Sequence, residues 1–85
     1  MDVSQGIYEH YKSTPAAPKR YQVLFLSHSE ETRQVLVHYQ PMYWDDTNDN
    51  AVYDDGITVW TRSLENFCEN VAWKGSTVPR FRRVS

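Results

Sequence analysis

The sequence predicts a single, mostly β domain, either a small SH3-like open barrel or a curved antiparallel sheet of four to five strands with one short C-terminal helical turn. Three observations predict it. Short apolar stretches alternate with polar residues at the two-residue period of strands. Turn-forming residues separate these stretches. A chain of 85 residues has room for one core, and a flat sheet of this size would expose too much apolar edge.

The first predicted strand covers residues 7–12, after a flexible N-terminus at residues 1–5. Segment 13–18 contains two prolines, which lack an N–H donor and restrict the preceding residue, so we interpret it as a loop. Residues 21–26 are apolar on both faces apart from Gln22. This pattern predicts a central strand that is covered on both sides.

The next predicted strand is the hairpin partner of the central one. A polar turn at residues 27–33 reverses the chain, because its serine and threonine side chains offer local hydrogen bonds that compete with strand pairing. Residues 34–39 return as a strand in which His38 faces outward between inward-facing apolar residues. Pro41 ends this strand or places it at the edge of the sheet.

The C-terminal part is predicted to hold one more strand and the helical turn. An exposed acidic loop is expected at residues 44–56, whose aspartates repel one another and bury little apolar surface. A strand follows at residues 57–62. Ser63 can cap a helix of at most two turns that reaches Val71. Residues 76–85 form a tail that adds an edge segment or stays loose.

Composition and charge narrow the function classes. Aromatic residues make up 14% of the chain and must provide much of the burial. The net charge of −2 gives no overall field for nucleic acid or an anionic membrane. Cys68 is the only cysteine, which excludes an intrachain disulfide and favours a reducing compartment. We therefore expect a cytoplasmic protein without a cofactor and without membrane or nucleic-acid binding. The sequence does not indicate its oligomeric state.

Neither the acidic loop nor the histidines match the pattern of a metal site. In the acidic loop, an EF-hand frame that starts at Asp46 puts Ala51 at the glycine position and Ile57 at the bidentate glutamate position. The histidines lie 18 and 10 residues apart, without the close pairing of histidine metal sites. They are His10, His28 and His38.

Candidate binding residues lie in three places. His10 shares a strand face with Lys12. His28 lies in a polar turn, and loops commonly carry function. Trp60 and Arg62 share a face of the last strand, where an aromatic ring beside a guanidinium can stack a base, a ring or a planar anion. Trp60 can equally be a core side chain, and the histidines can equally be structural.

Short motifs spread over nearly the whole chain carry a resemblance. They are Gly6-Ile7-Tyr8-Glu9-His10-Tyr11-Lys12, Tyr21-Gln22-Val23, His28-Ser29-Glu30, Val37-His38-Tyr39, Met42-Tyr43, Trp60-Thr61-Arg62, Glu65-Asn66-Phe67 and Val78-Pro79-Arg80-Phe81. In this order the chain resembles domain-of-unknown-function family 1653. The resemblance implies a small β-rich domain without an established activity. It also implies a set of shared polar and aromatic positions, namely His10, Tyr11, Lys12, His28, Ser29, Glu30, Trp60 and Arg62.

Three functions are compatible with the sequence. The leading hypothesis is a non-enzymatic binding module whose aromatic and cationic surface takes a small anionic ligand, a peptide or a nucleotide-like ring. The first alternative is a small enzyme with His10 or His28 as general base, although no phosphate loop, nucleophile elbow or paired-carboxylate motif occurs. The second is a structural or accessory subunit of an oligomer or complex. For the binding module we expect His10, His28 and Arg62 to lie close together.

Overall fold

The computed structural model describes residues 3–44 and 54–85. The elements in these ranges are β1 (Gly6–His10), β2 (Arg20–His28), β3 (Val35–Pro41), β4 (Trp60–Ser63), α1 (Leu64–Phe67), β5 (Asn70–Trp73), β6 (Ser76–Pro79) and β7 (Phe81–Arg83). Five strands form an antiparallel sheet in the order β4-β3-β2-β1-β7, and β5 pairs with β6. The prediction of a mostly β fold with a curved sheet and one helical turn is confirmed. The ladders of the described residues do not close into a barrel.

The central strand of the sheet is β2, as its apolar sequence predicts. It pairs with β1 on one side and with β3 on the other. The pairing with β3 shifts between Val23 and Phe25, so that Leu24 forms a bulge. A bulge bends its strand and increases the local twist. The bend curves the sheet, and Val23 becomes almost fully buried on the inner face while Phe25 pairs with His38 on the outer face.

The core lies on the inner face of this curved sheet and is mainly aromatic. Its buried members are Tyr8, Tyr21, Val23, Val37, Tyr39, Phe67 and Phe81. Phe67 of α1 stacks on Phe81 of β7, with ring centroids 4.2 Å apart and planes 6° from parallel. Most of the other ring pairs meet edge to face, the arrangement that the quadrupoles of aromatic rings favour.

The helix is shorter than predicted. Ser63 does cap it, since its Oγ accepts the N–H of Asn66 at 3.1 Å, but α1 ends at Phe67. The predicted extension to Val71 is wrong because that residue lies in β5 and pairs with β6. Lys74 and Gly75 between these strands both have positive φ, as a two-residue hairpin turn requires. The spacing of Val71 fits a helix face, but its backbone pairs with Val78 of β6 in the hairpin instead.

The strand predicted at residues 57–62 begins later, at Trp60. The carboxylate of Asp55 accepts hydrogen bonds from the N–H groups of Ile57 and Thr58, at 2.9 and 2.7 Å. This local turn occupies donors that a strand would need. The rest of the predicted acidic loop, residues 45–53, falls outside the described residues. No helix in the described ranges is long and apolar enough to cross a membrane.

The C-terminal segment adds the edge strand β7 to the sheet, so of the two alternatives expected for residues 76–85 the structure shows the edge segment and not the loose tail. Phe81 pairs with His10 of β1, and only 8% of its surface is exposed. The N–H of Val84 donates to the carbonyl of Ile7 at 2.8 Å. The segment is held by one aromatic side chain and by pairing with a strand that is distant in sequence, and neither is visible in local periodicity.

The stability of the domain should therefore depend on Phe81. We expect Phe81→Ala to lower the free energy of unfolding by about 3 kcal/mol or more, because the substitution removes a buried ring that packs on Phe67. Urea unfolding measures the loss. The control is Val84→Ala, since Val84 is 42% exposed and should lose less than about 1 kcal/mol. Equal small losses in both variants would contradict the packing described here.

Candidate functional site

A cleft opens at the end of the core where β3, β4 and α1 meet, with a volume of about 550 Å³. We call it the Arg62 cleft, and its main lining residues are Tyr21, Tyr39, Trp60, Arg62 and Asn66. Arg62 pairs across the sheet with Val37, which is fully buried, so Arg62 projects from the core face of the edge strand β4. Its guanidinium carbon lies 5.9 Å from the ring centroid of Phe81. The cleft therefore places a cation at the rim of the aromatic core.

Neutral groups hold the guanidinium of Arg62. Its Nε donates to the hydroxyl of Tyr39 at 2.9 Å, and its Nη1 donates to Oδ1 of Asn66. Asn66 is in reach because Ser63 starts α1 directly after β4, so that Asn66 follows Arg62 by four residues. These bonds use two of the five N–H groups of a guanidinium. Three N–H groups are left for other partners.

Arg62 and its neighbour Arg80 differ in whether a carboxylate lies beside the guanidinium. Arg80 lies 3.6 Å from the carboxylate of Glu69, and this carboxylate also accepts the amide Nδ2 of Asn66 at 3.3 Å. The second bond fixes the amide so that its oxygen faces Arg62. Among the residues that the structure describes, Arg62 itself contacts no carboxylate. Its positive charge is oriented but not compensated there.

Phenolic hydroxyls add further donors to the cleft. The hydroxyl oxygens of Tyr21 and Tyr43 lie 2.8 Å apart, so one donates to the other and one proton of the pair is left over. The hydroxyl of Tyr39 accepts from Arg62 and keeps its own proton. Burial raises the pKa of Tyr21 and of Tyr39 above the ordinary value of a phenol. Both therefore stay protonated donors at neutral pH.

His10 lies at the end of β1, in the wall of a different cleft beside Tyr11, and Phe81 connects it to Arg62. Its ring meets Phe81 edge to face at 5.3 Å, and Phe81 also contacts Arg62. Nδ1 of His10 accepts the N–H of Lys12 at 3.2 Å, so the neutral ring carries its proton on Nε2. Burial, followed by the charges of Arg62 and Lys12, lowers the pKa of His10 from 6.5 to about 4. His10 is therefore a neutral donor at pH 7 and has no free lone pair with which to act as a base.

The expected convergence of His10, His28 and Arg62 is wrong for His28. The N–H of His10 donates to the carbonyl of Lys19, immediately before β2, whereas His28 ends the same strand. A strand advances about 3.3 Å per residue, so the nine residues of β2 keep the two histidines apart. The sequence did not reveal this because the strand is longer than its apolar stretch and includes His28.

The polar turn at the far end of β2 has a structural explanation. The backbone N–H of Ser29 donates to the carbonyl of Gln34 and its carbonyl accepts the N–H of Arg33, both at 2.8 Å. Its hydroxyl accepts the N–H of Thr32 at 3.2 Å. These bonds hold the hairpin connection between β2 and β3. His28, Ser29 and Glu30 line a separate, shallow depression with Arg33. The structure thus separates this part of the predicted set from the Arg62 cleft.

Tyr11 and Lys12 lie on the other side of His10. Tyr11 packs edge to face on Trp73 of the β5–β6 hairpin, with centroids 5.2 Å apart. The ammonium of Lys12 lies 5.7 Å and 5.9 Å from the centroids of these two rings. Tyr11 and Trp73 border a second cleft of about 280 Å³, which also contains Glu9 and Arg82. Two of the predicted residues thus belong to a cation–π cluster that joins the hairpin to the sheet.

The interpretation of Trp60 as a core side chain is wrong, since 42% of its surface is exposed. Trp60 pairs with Tyr39 and forms a wall of the Arg62 cleft. His38 lies on the outer face of the sheet, as predicted, where it stacks on Phe25 at 4.4 Å. Its Nε2 lies 2.7 Å from the hydroxyl of Ser27.

Sequence reasoning missed the hydroxyl of Tyr39 and the amide of Asn66 as parts of the site. Two signals could have indicated them. A tyrosine at an inward position of a strand brings a hydroxyl that needs a partner. An asparagine four residues after an arginine, across a predicted helix cap, is within reach of the guanidinium. In the described ranges no group of three or more histidine, cysteine or acidic side chains could hold a metal ion.

The lowered pKa of His10 makes stability depend on pH. Between pH 6.5 and about 4 the unfolded chain binds a proton at His10 that the folded chain does not bind. This contribution to stability is present above pH 6.5 and is lost as the pH falls toward 4. We expect the free energy of unfolding to drop by about 1 to 2 kcal/mol more in the wild type than in His10→Gln between about pH 7.5 and pH 5.

Urea unfolding at both pH values provides this comparison. His38→Gln is the matched control, because it removes a histidine from the outer face of the sheet and should keep the pH dependence of the wild type. A His10→Gln variant with the same pH dependence as the wild type would show that His10 titrates as it does in an unfolded chain.

Comparisons with known proteins agree with this architecture. A family model described as a protein of unknown function, DUF1653, matches residues 6–83. A crystal structure of a protein belonging to DUF1653 from Bordetella bronchiseptica is similar, with 30% sequence identity and a TM-score of 0.72. The alignment covers 98% of this chain and 88% of that one. No functionally curated protein matches. The match over nearly the whole length shows that the chain belongs to the DUF1653 family.

Proposed function

We propose that this protein is a small non-enzymatic binding module that takes a small anionic ligand in the Arg62 cleft. The observation that carries the proposal is the guanidinium of Arg62, which neutral oxygens of Tyr39 and Asn66 hold in place and which meets no carboxylate within residues 3–44 and 54–85. Arginine binds carboxylate and phosphate through a planar set of N–H donors. A fixed guanidinium with unused donors is therefore suited to an anion.

The surroundings of Arg62 support the same ligand charge. The cleft offers the phenolic O–H of Tyr39, and the hydroxyl of Tyr21, which is paired with Tyr43, also lines it; protonated phenols donate to anions. The Coulomb effect of Arg62 also reaches His10, where it lowers the pKa together with burial. The phenols can donate hydrogen bonds to an anion, and neither they nor His10 carry a negative charge at neutral pH.

The two alternative functions have less support. A general base at His10 needs a lone pair, but Nδ1 accepts the N–H of Lys12 and Nε2 carries the proton. His28 lies beside Ser29, whose polar groups hold the turn. An accessory subunit that uses Phe81 as a contact surface conflicts with the burial of that ring. The binding module is thus the function that the geometry favours.

We also infer that the fold is an SH3-like open barrel and that the protein is cytoplasmic. The supporting observation for the fold is the strand order, in which β1 to β4 form a meander and β7 returns to β1 after the helical turn α1. The β5–β6 hairpin is an addition between α1 and β7. The cytoplasmic location rests on the single cysteine, Cys68, which suits a reducing compartment.

The proposal is tested by titrating the protein with acetate and with inorganic phosphate while NMR signals are recorded. We expect saturable shifts in the signals of Arg62, Tyr39 and Asn66. In Arg62→Gln the affinity should fall at least about tenfold, because a charge-assisted hydrogen bond contributes roughly 1.5 to 3 kcal/mol. A melting curve establishes that the variant is folded.

The matched control is Arg33→Gln, which removes the same charge at the far end of the sheet, in the depression that contains His28. It should leave the binding unchanged. Saturable shifts at His28 and Arg33, with no response at Arg62, would place the anion site at the wrong end of the sheet and contradict the proposal.

A further inference from the structure

We infer that the ligand of the Arg62 cleft is a flat aromatic monocarboxylate, whose carboxylate binds Arg62 and Tyr39 and whose ring packs on Trp60. This inference rests on the proposed function, since it presupposes that the cleft binds anions. It adds the charge, the shape and the second contact of the ligand. Each of these follows from a different observation.

The charge follows from the cations that are available. Within residues 3–44 and 54–85, Arg62 is the cation that lines the cleft, and the nearby Arg80 is already 3.6 Å from the carboxylate of Glu69. The same Arg80 donates through Nε to the carbonyl of Asn66 at 3.2 Å. One uncompensated guanidinium matches a ligand with a single negative charge. A dianionic phosphate would bring a second charge that no described lining residue balances.

The hydrogen-bond geometry favours a carboxylate. After the bonds to Tyr39 and Asn66, Arg62 retains one N–H on Nη1 and two on Nη2. A carboxylate has two coplanar oxygens and can accept a pair of parallel bonds from a guanidinium. The hydroxyl proton of Tyr39 has no acceptor within the described ranges and can reach a further lone pair. The donors thus outnumber what a single neutral oxygen could accept.

The shape follows from Trp60. Its side chain lines the same cleft and remains 42% exposed. Burying an indole would stabilise a domain of this size, which buries little apolar surface. The cleft volume of about 550 Å³ is far more than an acetate ion needs. A planar ring could cover the indole and fill this space by stacking. The acid group and the ring would then bind to neighbouring residues of one strand face, Arg62 and Trp60.

The experiment compares four probes by calorimetry or NMR titration: benzoate, acetate, phenyl phosphate and the neutral analogue benzamide. We expect benzoate to bind at least about fivefold tighter than acetate, in line with the stacking contribution of one aromatic face. Benzoate should also bind tighter than phenyl phosphate. Benzamide should bind at least about tenfold more weakly than benzoate, because it lacks the charge that Arg62 recognises.

Variants separate the two contacts. Trp60→Leu should reduce the affinity for benzoate to about that for acetate, whereas Arg62→Gln should weaken the binding of both. The matched control is Phe25→Leu, which removes an aromatic ring that is 53% exposed on the outer face of the sheet. It should change neither affinity. Melting curves show whether each variant is folded.

The outcomes distinguish the inference from the proposed function. If acetate and benzoate bind equally well and Trp60→Leu has no effect, the aromatic part of the inference is wrong while the anion site stands. If phenyl phosphate binds tighter than benzoate, the single charge is wrong. If no anion binds the wild type, the proposed function fails, and the inference fails with it.

Discussion

The stacked rings of Phe67 and Phe81 are the contact on which the rest of the structure depends. Phe67 belongs to the helical turn after β4, and Phe81 opens the strand that returns to β1, so their contact joins the two edges of the five-stranded sheet through the core. Tyr21 and Tyr39 of the central strands pack edge to face on Phe81. One ring pair thus connects β2, β3, α1 and β7 in the core.

The functional geometry derives from the same contact. His10 is paired with Phe81 in the sheet, and the guanidinium of Arg62 lies 5.9 Å from the centroid of the same ring. Without Phe81, β7 would lose its anchor in the core, and the ring that contacts both His10 and Arg62 would be missing. Helix α1 is equally constrained, because Phe67 fixes its register and thereby presents Asn66 to Arg62. The cleft is therefore a consequence of how the core ends.

Local patterns predicted the part of the fold that local interactions determine. The alternation of residues 34–39 and the apolar stretch at residues 21–26 identified β3 and β2, since each strand face is set by the next residue but one. Val71 was misread, and the choice between an edge segment and a loose tail at Phe81 stayed open, because both structures depend on distant partners, the β6 strand of the hairpin and β1. The placement of His28 failed for a related reason, since strand length depends on pairing with β3 beyond the apolar residues.

The site itself was half predictable, because chemistry selects residue types but the fold selects neighbours. Arg62 and Trp60 were identified as a pair on one strand face, whereas the role of Tyr39 required the register of β3 on β4. Tyrosines at the end of a core must satisfy their hydroxyls, and here Tyr39 does so with Arg62 while Tyr21 does so with Tyr43. Each of these bonds leaves a hydroxyl proton over. The hydrogen bonds that allow tyrosines to be buried at the open end of the core therefore also leave donors for an anion.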